Sequence, residues 1–135
     1  MTTLSGCCLC GAVSFQGDCD IKAIANCHCS DCRSVTGAAY ATLVMVPESD
    51  VNITGELRDY VHTSDAGSTM TKQFCATCGS QMFSKNSARE GMMAIRAGII
   101  DQKAAIQPAF NVYCDSAIPS TPMDPALPAH AKMPG

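Results

Sequence analysis

Cys75-Ala76-Thr77-Cys78-Gly79 and Cys8-Leu9-Cys10-Gly11 are the two stretches that decide the fold, because each brings two cysteines to a short turn that ends in glycine. Such a turn lets two thiolates converge on one metal ion, and zinc favours four ligands in a tetrahedron. Gly11 and Gly79 suit turns with a positive φ, in which backbone N–H groups face the thiolates and offset their charge. Together the two turns predict one closed, structural zinc site.

A third cluster, Cys27-His28-Cys29-Ser30-Asp31-Cys32-Arg33, supplies three more cysteines. Three protein ligands with an open fourth position are typical of a catalytic zinc, so we predict one at Cys27, Cys29 and Cys32. Alternatively, His28 or the distant Cys114 would supply a fourth ligand to this cluster, and both metal sites would then be structural. We expect the His28 side chain to point away from the metal, because it lies between two ligating residues.

The ten cysteines also allow uses other than metal binding. Disulfides would need an oxidising compartment, which the start of the chain does not indicate. A redox dithiol at Cys75 and Cys78 would need a βαβ context, and three clustered thiolates could instead hold an iron–sulfur cluster. Cys7, Cys19 and Cys114 lie outside the spacing pattern, and we expect them to be free thiols or small buried residues.

Short apolar runs alternate with turn signals along the chain, which predicts a mainly β fold. The predicted strands are Ala12–Gln16, Ala38–Val46, Val51–Thr54, Leu57–His62, Thr69–Phe74, Gln81–Ser84, Met92–Ala97 and Phe110–Cys114. A short helix is predicted at Ser30–Thr36 with Ser30 as its N-cap, and a turn near Asp101–Ala105. Five prolines follow Ile118, so we expect a proline-rich tail from about residue 118 that wraps over the surface and frays at its end.

Composition narrows the range of partners and compartments. The formal charge is −3 and the basic residues are scattered, so phosphate neutralisation by a nucleic-acid-binding surface is not supported. The start of the chain has no signal-peptide pattern, and no stretch of about 20 apolar residues could span a bilayer. We therefore expect a cytoplasmic protein with no membrane partner, folded as one domain over residues 1–135.

The cysteine motifs resemble those of one enzyme family. Gly6-Cys7-Cys8-Leu9-Cys10-Gly11-Ala12-Val13 is similar to the opening of the glutathione-dependent formaldehyde-activating enzymes. The middle cluster with Thr36-Gly37-Ala38 resembles their C-x-C-x-x-C-R segment, and Phe74–Ser80 resembles their C-x-x-C-G segment. The similarity continues through Ile95–Gly98 and Asp101 and from Pro108 to Ser116, so it covers nearly the whole chain.

The resemblance implies a β-tent fold of small antiparallel sheets pinned by a structural zinc, with a single domain of this family type. It also implies two zinc ions per chain, a structural one at Cys8, Cys10, Cys75 and Cys78 and a catalytic one at Cys27, Cys29 and Cys32. The implied activity is that of a carbon–sulfur lyase that joins glutathione to formaldehyde as S-hydroxymethylglutathione. The expected partners are therefore a small-molecule thiol and an aldehyde.

Four residues bear on the substrate and the chemistry. We predict that Arg33 receives a substrate carboxylate or else pairs with Asp31 or surface groups. Asp31 is predicted to be a proton carrier or a solvated helix-start carboxylate. Family members commonly have Trp where this chain has Ser120, and His where it has Asn111. If those positions shape the pocket, the chain acts on a different thiol or aldehyde.

Two functions from another class compete with the enzyme. The β-tent fold also serves non-catalytic zinc modules for protein interaction or chaperoning, and a formaldehyde or metal buffer would not turn over substrate. The cluster at Cys27, Cys29 and Cys32 argues against a pure scaffold, because a scaffold gains nothing from a half-open second site.

Overall fold

Short β-branched and apolar segments separated by glycine-containing turns form ten strands and one α-helix in the computed structural model, which describes residues 1–134. The strands are β1 Thr2–Cys7, β2 Ser14–Cys19, β3 Ala23–Cys27, β4 Ala41–Pro47, β5 Asn52–Thr54, β6 Leu57–Thr63, β7 Thr69–Cys75, β8 Gln81–Asn86, β9 Met92–Arg96 and β10 Phe110–Val112. Helix α1 spans Ser30–Thr36, and 3-10 turns occur at Glu48–Asp50, Ala97–Ile99, Lys103–Ala105 and Cys114–Ser116.

The strands form two sheets. The small sheet has the order β1-β2-β5, and the large sheet has the order β10-β3-β4-β9-β8-β7-β6. Neighbouring strands are antiparallel except for β10, which runs parallel to β3. The predicted mainly β class is confirmed.

One hydrophobic core joins the two sheets. Leu4 and Phe15 from the small sheet pack with Val44, Phe83 and Ile95 from the large one. The rings of Phe15 and Phe83 meet edge to face, with centroids 5.6 Å apart. Only one face of the large sheet enters this core, because successive side chains of a strand point to opposite faces. The opposite face is therefore available for a site.

The predicted helix and most of the predicted strands are present in the structure. The helix has the predicted bounds, but the prediction of its N-cap is wrong: Cys29, not Ser30, is the capping residue, and its Sγ accepts the backbone N–H of Cys32 at 3.3 Å. Two strands, β1 and β3, were not predicted. β3 is rich in residues of weak strand preference, two alanines and one asparagine, and β1 is interrupted by Gly6; the pairing partners of both strands stabilise them.

The proline-rich tail covers the edge of the large sheet. The N–H of Asn111 donates to Pro128, and the N–H of His130 donates back to Asn111, each at 2.9 Å. The N–H of Tyr113 donates to Lys132 at 3.1 Å. The expected wrap over the surface is thus observed, while the predicted frayed end falls on Gly135, outside the described residues. The tail supplies acceptors and donors that the exposed edge strand β10 would otherwise lack.

Candidate metal centres

The first candidate centre lies where two turns from different sheets meet. The β1–β2 turn carries Cys8 and Cys10, while Cys75 ends β7 and Cys78 lies in the β7–β8 turn. All four sulfur atoms lie within 4.8 Å of one another. Neighbouring pairs are 3.7 Å apart for Cys8–Cys10 and 3.8 Å apart for Cys10–Cys75. The structure therefore brings together the four residues that the sequence predicts as one site.

The backbone around these sulfurs is arranged as the turn glycines predict. Gly11 and Gly79 have φ values of 80° and 78°. The N–H of Val13 donates to Cys8 Sγ at 3.3 Å, and two N–H groups, from Thr77 and Cys78, donate to Cys75 Sγ at 3.4 Å. Three N–H donors thus face two of the sulfurs and offset their negative charge.

The four thiols of this centre have divergent acidities. Hydrogen bonding to Ser80, with Sγ–Oγ at 3.2 Å, lowers the pKa of Cys78 to about 5. The N–H of Val13 lowers the pKa of Cys8. The N–H of Ala12 lowers the pKa of Cys10, but desolvation and the neighbouring cysteines raise it more, to about 11. Without a cation the cluster cannot easily carry four negative charges, because like charges at this spacing repel one another.

The donor set fits zinc. A tetrahedron with Zn–S bonds of about 2.3 Å has sulfur–sulfur edges of about 3.8 Å. Two of the sulfur–sulfur edges in this centre, at 3.7 and 3.8 Å, match that value. Four thiolates around one point leave no open position, which is the arrangement of a structural rather than a catalytic site.

The second candidate centre is built at the junction of β3 and α1. Cys27 ends the strand, Cys29 caps the helix and Cys32 lies in its first turn, so all three side chains face the same side. Their sulfur atoms lie within 4.8 Å of one another. Cys27 and Cys32 are buried and Cys29 is half-buried. Six consecutive residues therefore supply the whole cluster without help from a distant segment.

Crowding of these three thiols separates their acidities. Hydrogen bonds from Cys27 and Cys32 lower the pKa of Cys29 to about 2. The same contacts and burial raise the pKa of Cys27. The pKa of Cys32 is also raised, because the Cys29 thiolate and burial outweigh the hydrogen bond from Cys27. One thiolate is thus preformed, and a divalent cation would favour ionisation of the other two.

Neither candidate for a fourth ligand joins this cluster within residues 1–134. His28 is only 1% exposed and is held away from the sulfurs. Its Nε2 pairs with Asn111 Oδ1 at 3.0 Å, and its ring packs 4.9 Å from that of Tyr40. Cys114 belongs to neither group of sulfurs. All ten cysteines are unpaired thiols, so the disulfide alternative does not hold.

The open cluster borders a cavity of about 540 Å³ on the free face of the large sheet. Its floor consists of alternate residues of six strands: Ala23, Ala25, Cys27, Leu43, Met45, Met70, Lys72, Ser84, Asn86, Met92, Ala94, Phe110 and Val112. Small side chains at several of these positions leave room above the sheet. The volume is in the range of small-molecule sites. The cavity thus places a ligand beside the open position of the second centre.

Loops and the tail form the walls. The loop after β6 contributes residues 64–66 and 68, and α1 contributes Asp31. Tyr113 lines the cavity from a left-handed backbone conformation with φ 55°, and Met133 and Pro134 close it from the C-terminal side. A sequence pattern could have indicated the floor through period-two alternation, but no local signal connects the tail to the cysteines.

The predicted substrate residues divide into those inside and those outside the cavity. Asp31 lines it, with a side chain 46% exposed and Oδ2 4.0 Å from His62 Nδ1. Arg33 is not among the lining residues and forms no ion pair with Asp31 in the described part of the chain. Asn111 is buried against His28 and Ser120 is exposed, and neither lines the cavity. The condition under which these two positions would alter the substrate, that they shape the pocket, is therefore not met by the lining of this cavity.

Comparison with known proteins gives one family. The chain matches the sequence model of the family described as glutathione-dependent formaldehyde-activating enzyme over residues 3–116. A protein of Aspergillus terreus, provisionally named a glutathione-dependent formaldehyde-activating enzyme, is 25% identical over 95 residues, which are 68% of this chain and 49% of that protein. The chain therefore spans about half the length of that relative.

A solved structure supports the architecture. The crystal structure of a Rhodobacter sphaeroides protein matches with a TM-score of 0.60 at 20% identity, and the match covers 77% of this chain and 96% of that one. This likeness concerns the fold alone. No helix within residues 1–134 combines the length and apolar character needed to cross a bilayer.

Proposed function

Because this chain belongs to the family of glutathione-dependent formaldehyde-activating enzymes, we propose that it is a zinc-dependent carbon–sulfur lyase that adds a small thiol to formaldehyde or a related aldehyde. In this proposal Cys27, Cys29 and Cys32 hold a catalytic zinc, and a structural zinc is held by the four-cysteine centre. Family membership supports a formaldehyde-activating enzyme, and the two cysteine centres support the proposed zinc sites.

The observation that carries the proposal is the contrast between the two cysteine centres. One is closed by four sulfurs between two sheets, and the other has three sulfurs at the edge of a cavity. A structural site needs a full ligand set, whereas a catalytic site keeps a position for substrate. The chain therefore separates the two proposed functions between two places, and it is the second that lines the cavity.

The reaction forms one S–C bond and converts the aldehyde C=O to C–OH. The thiol proton must leave sulfur, and a proton must reach the carbonyl oxygen. Zinc, when bound, would stabilise the substrate thiolate and polarise the carbonyl. Cys27, Cys29 and Cys32 hold the position at which the substrate sulfur would bind, and the sheet and the tail form the floor and one wall around that position. Asp31 lies at the wall beside the ligands and is exposed enough to exchange a proton with solvent.

Arg33 is proposed to contact the substrate only outside the cavity. It could act on a substrate group that extends beyond the cavity, but it does not line the cavity itself. The single-domain organisation over residues 1–135 is likewise proposed, with the family match ending at residue 116.

A metal count and an exchange assay test the proposal on the same sample. Two zinc ions per chain and faster exchange between glutathione plus formaldehyde and S-hydroxymethylglutathione, followed by NMR against a no-enzyme control, are expected. Cys29→Ser should abolish the acceleration, and Cys7→Ser is the matched control because Cys7 is exposed and belongs to neither centre. One zinc per chain with no acceleration would instead support a non-catalytic zinc module, and two zincs without turnover would support a buffer.

A further inference from the structure

Lys72 is a cation in an unusual place. It lies in the middle of β7, is only 3% exposed and belongs to the floor of the cavity. Buried lysines are rare unless paired, because removing an ammonium group from water is costly. Yet in the part of the chain that the structure describes, no carboxylate lies within ion-pairing distance of its Nζ. The fold therefore keeps an unpaired positive charge at a ligand-accessible position.

The strand register explains why Lys72 has space beside it. Lys72 pairs across the sheet with Ser84, which pairs with Ala94 on the next strand. Both neighbours have small side chains, so the ammonium group is not covered from that side. The other cavity-lining cations differ from it: Lys85 is paired with Glu48 at 3.1 Å, and Arg89 is exposed. Lys72 is thus the buried cation of the floor.

The same residue lies near the open cysteine cluster without touching it. Lys72 and all three cysteines of the cluster line the same cavity. No hydrogen bond joins Lys72 to the sulfur of Cys29 or of Cys32 among the described residues. A gap therefore separates the cation from the sulfur cluster, and both border one cavity.

We propose that Lys72 binds a carboxylate of the thiol substrate and makes the enzyme selective for an acidic thiol. The inference rests on the proposed function, since it takes the substrate sulfur to lie at Cys27, Cys29 and Cys32. A thiol that carries a carboxylate then spans the gap, with sulfur at one end and the anion on the ammonium group at the other. An ammonium group is a suitable point charge for this purpose, and burial strengthens the pairing.

The rival explanation is that Lys72 only compensates the charge of a three-thiolate metal site. The two roles make different predictions for neutral thiols. A substrate-binding lysine matters for glutathione and not for its diethyl ester, which lacks carboxylates. A charge-compensating lysine affects both thiols equally and also changes zinc binding.

The test compares zinc-loaded wild type with Lys72→Met, Lys72→Arg and the exposed control Lys103→Met. Calorimetric titration with glutathione and with its diethyl ester gives the affinities, and the zinc content of each variant is measured in parallel. Lys72→Met should weaken glutathione binding about 10- to 100-fold, the range expected for a charged hydrogen bond, and leave ester binding unchanged. Lys72→Arg should recover much of the loss, and Lys103→Met should behave as wild type.

Several results would overturn the inference. Equal weakening of both thiols, a loss of zinc in Lys72→Met, or unchanged glutathione binding would each do so. Lys72→Gln provides the same comparison should the methionine variant fail to fold. If wild type binds glutathione through Lys72 but does not accelerate the exchange with formaldehyde, the proposed function fails and the inference stands. If the exchange is accelerated equally by wild type and by Lys72→Met, the proposed function stands and the inference about Lys72 fails.

Discussion

Replacing Cys78 by serine should destabilise the whole protein, because its sulfur joins two sheets. Cys78 lies in the β7–β8 turn of the large sheet, and Cys8 and Cys10 lie in the β1–β2 turn of the small one. A serine hydroxyl does not supply the thiolate that zinc requires. The variant therefore loses one of four bonds that hold segments about 65 residues apart, the separation of Cys10 from Cys75.

The size of the effect follows from the ligand count. Structural zinc contributes about 10–16 kcal/mol in zinc-finger peptides, so one ligand of four accounts for roughly 2.5–4 kcal/mol. In a chain of this length, 1 kcal/mol shifts Tm by about 4 °C, which gives a fall of roughly 10–16 °C. This is a large share of the total stability of an ordinary domain, about 5–15 kcal/mol.

Cys29→Ser is the matched comparison for this prediction. Its sulfur caps α1 by accepting the N–H of Cys32, and serine is itself a preferred N-cap residue. The second centre is also built from six neighbouring residues, so its loss opens no link between sheets. We expect its Tm to change by less than about 4 °C, corresponding to about 1 kcal/mol. Cys7→Ser, outside both centres, should match wild type.

Thermal unfolding of the three zinc-loaded variants, followed by circular dichroism with zinc content measured on each sample, provides the assay. A Cys78→Ser variant that melts cooperatively at the wild-type temperature would refute the assignment of the closed centre. Equal losses in Cys78→Ser and Cys29→Ser would mean that the structural and catalytic clusters have been assigned the wrong way round.

Three further predictions concern proton release, backbone packing and the cavity wall. With the closed centre loaded, zinc binding at Cys27, Cys29 and Cys32 should release two protons rather than three at pH 7, because the pKa of Cys29 is lowered to about 2 and the other two are raised. The affinity of this centre for zinc should then fall about a hundredfold for each pH unit of acidification. Calorimetry in buffers of different ionisation enthalpy counts the protons released, and a release of three protons would contradict the prediction. Gly6→Ala should lower Tm by at least about 8 °C, corresponding to about 2 kcal/mol, since its β-carbon would collide with the Ile99 carbonyl, whereas Gly98→Ala meets nothing within 4 Å and serves as control. Asn111→Ala should cost about 1–3 kcal/mol by leaving His28 Nε2 unpartnered, and an altered KM for glutathione would show that Asn111 does reach the substrate.

Features that depend on neighbouring residues could be predicted from the sequence. The spacing of Cys27, Cys29 and Cys32 is enough to cluster three sulfurs at a helix start, whatever surrounds them. The turns that end in Gly11 and Gly79 need only a positive φ, and both have it. For the same reason the bounds of α1 match the prediction, since a short helix with clear flanking signals depends on a few adjacent residues.

Features that depend on pairing between distant segments could not be predicted from the sequence. Strands β1 and β3 form because their partners in the two sheets supply hydrogen bonds and packing, which outweigh the weak strand preference of glycine and alanine. Arg33 follows a ligand in sequence, yet it does not line the cavity, because adjacent helical residues point in directions about 100° apart.

By itself, the sequence determined the family, the mainly β class and the membership of both cysteine clusters, because short spacings and ordered motifs carry that information. Only the tertiary structure decided where the cavity lies and which charges enter it. Lys72 is 39 residues from Arg33 and shows no motif, but the register of β7 with β8 puts it on the floor beside small side chains. Burial and strand register are properties of all the partners together, so no single segment of the chain could have shown them.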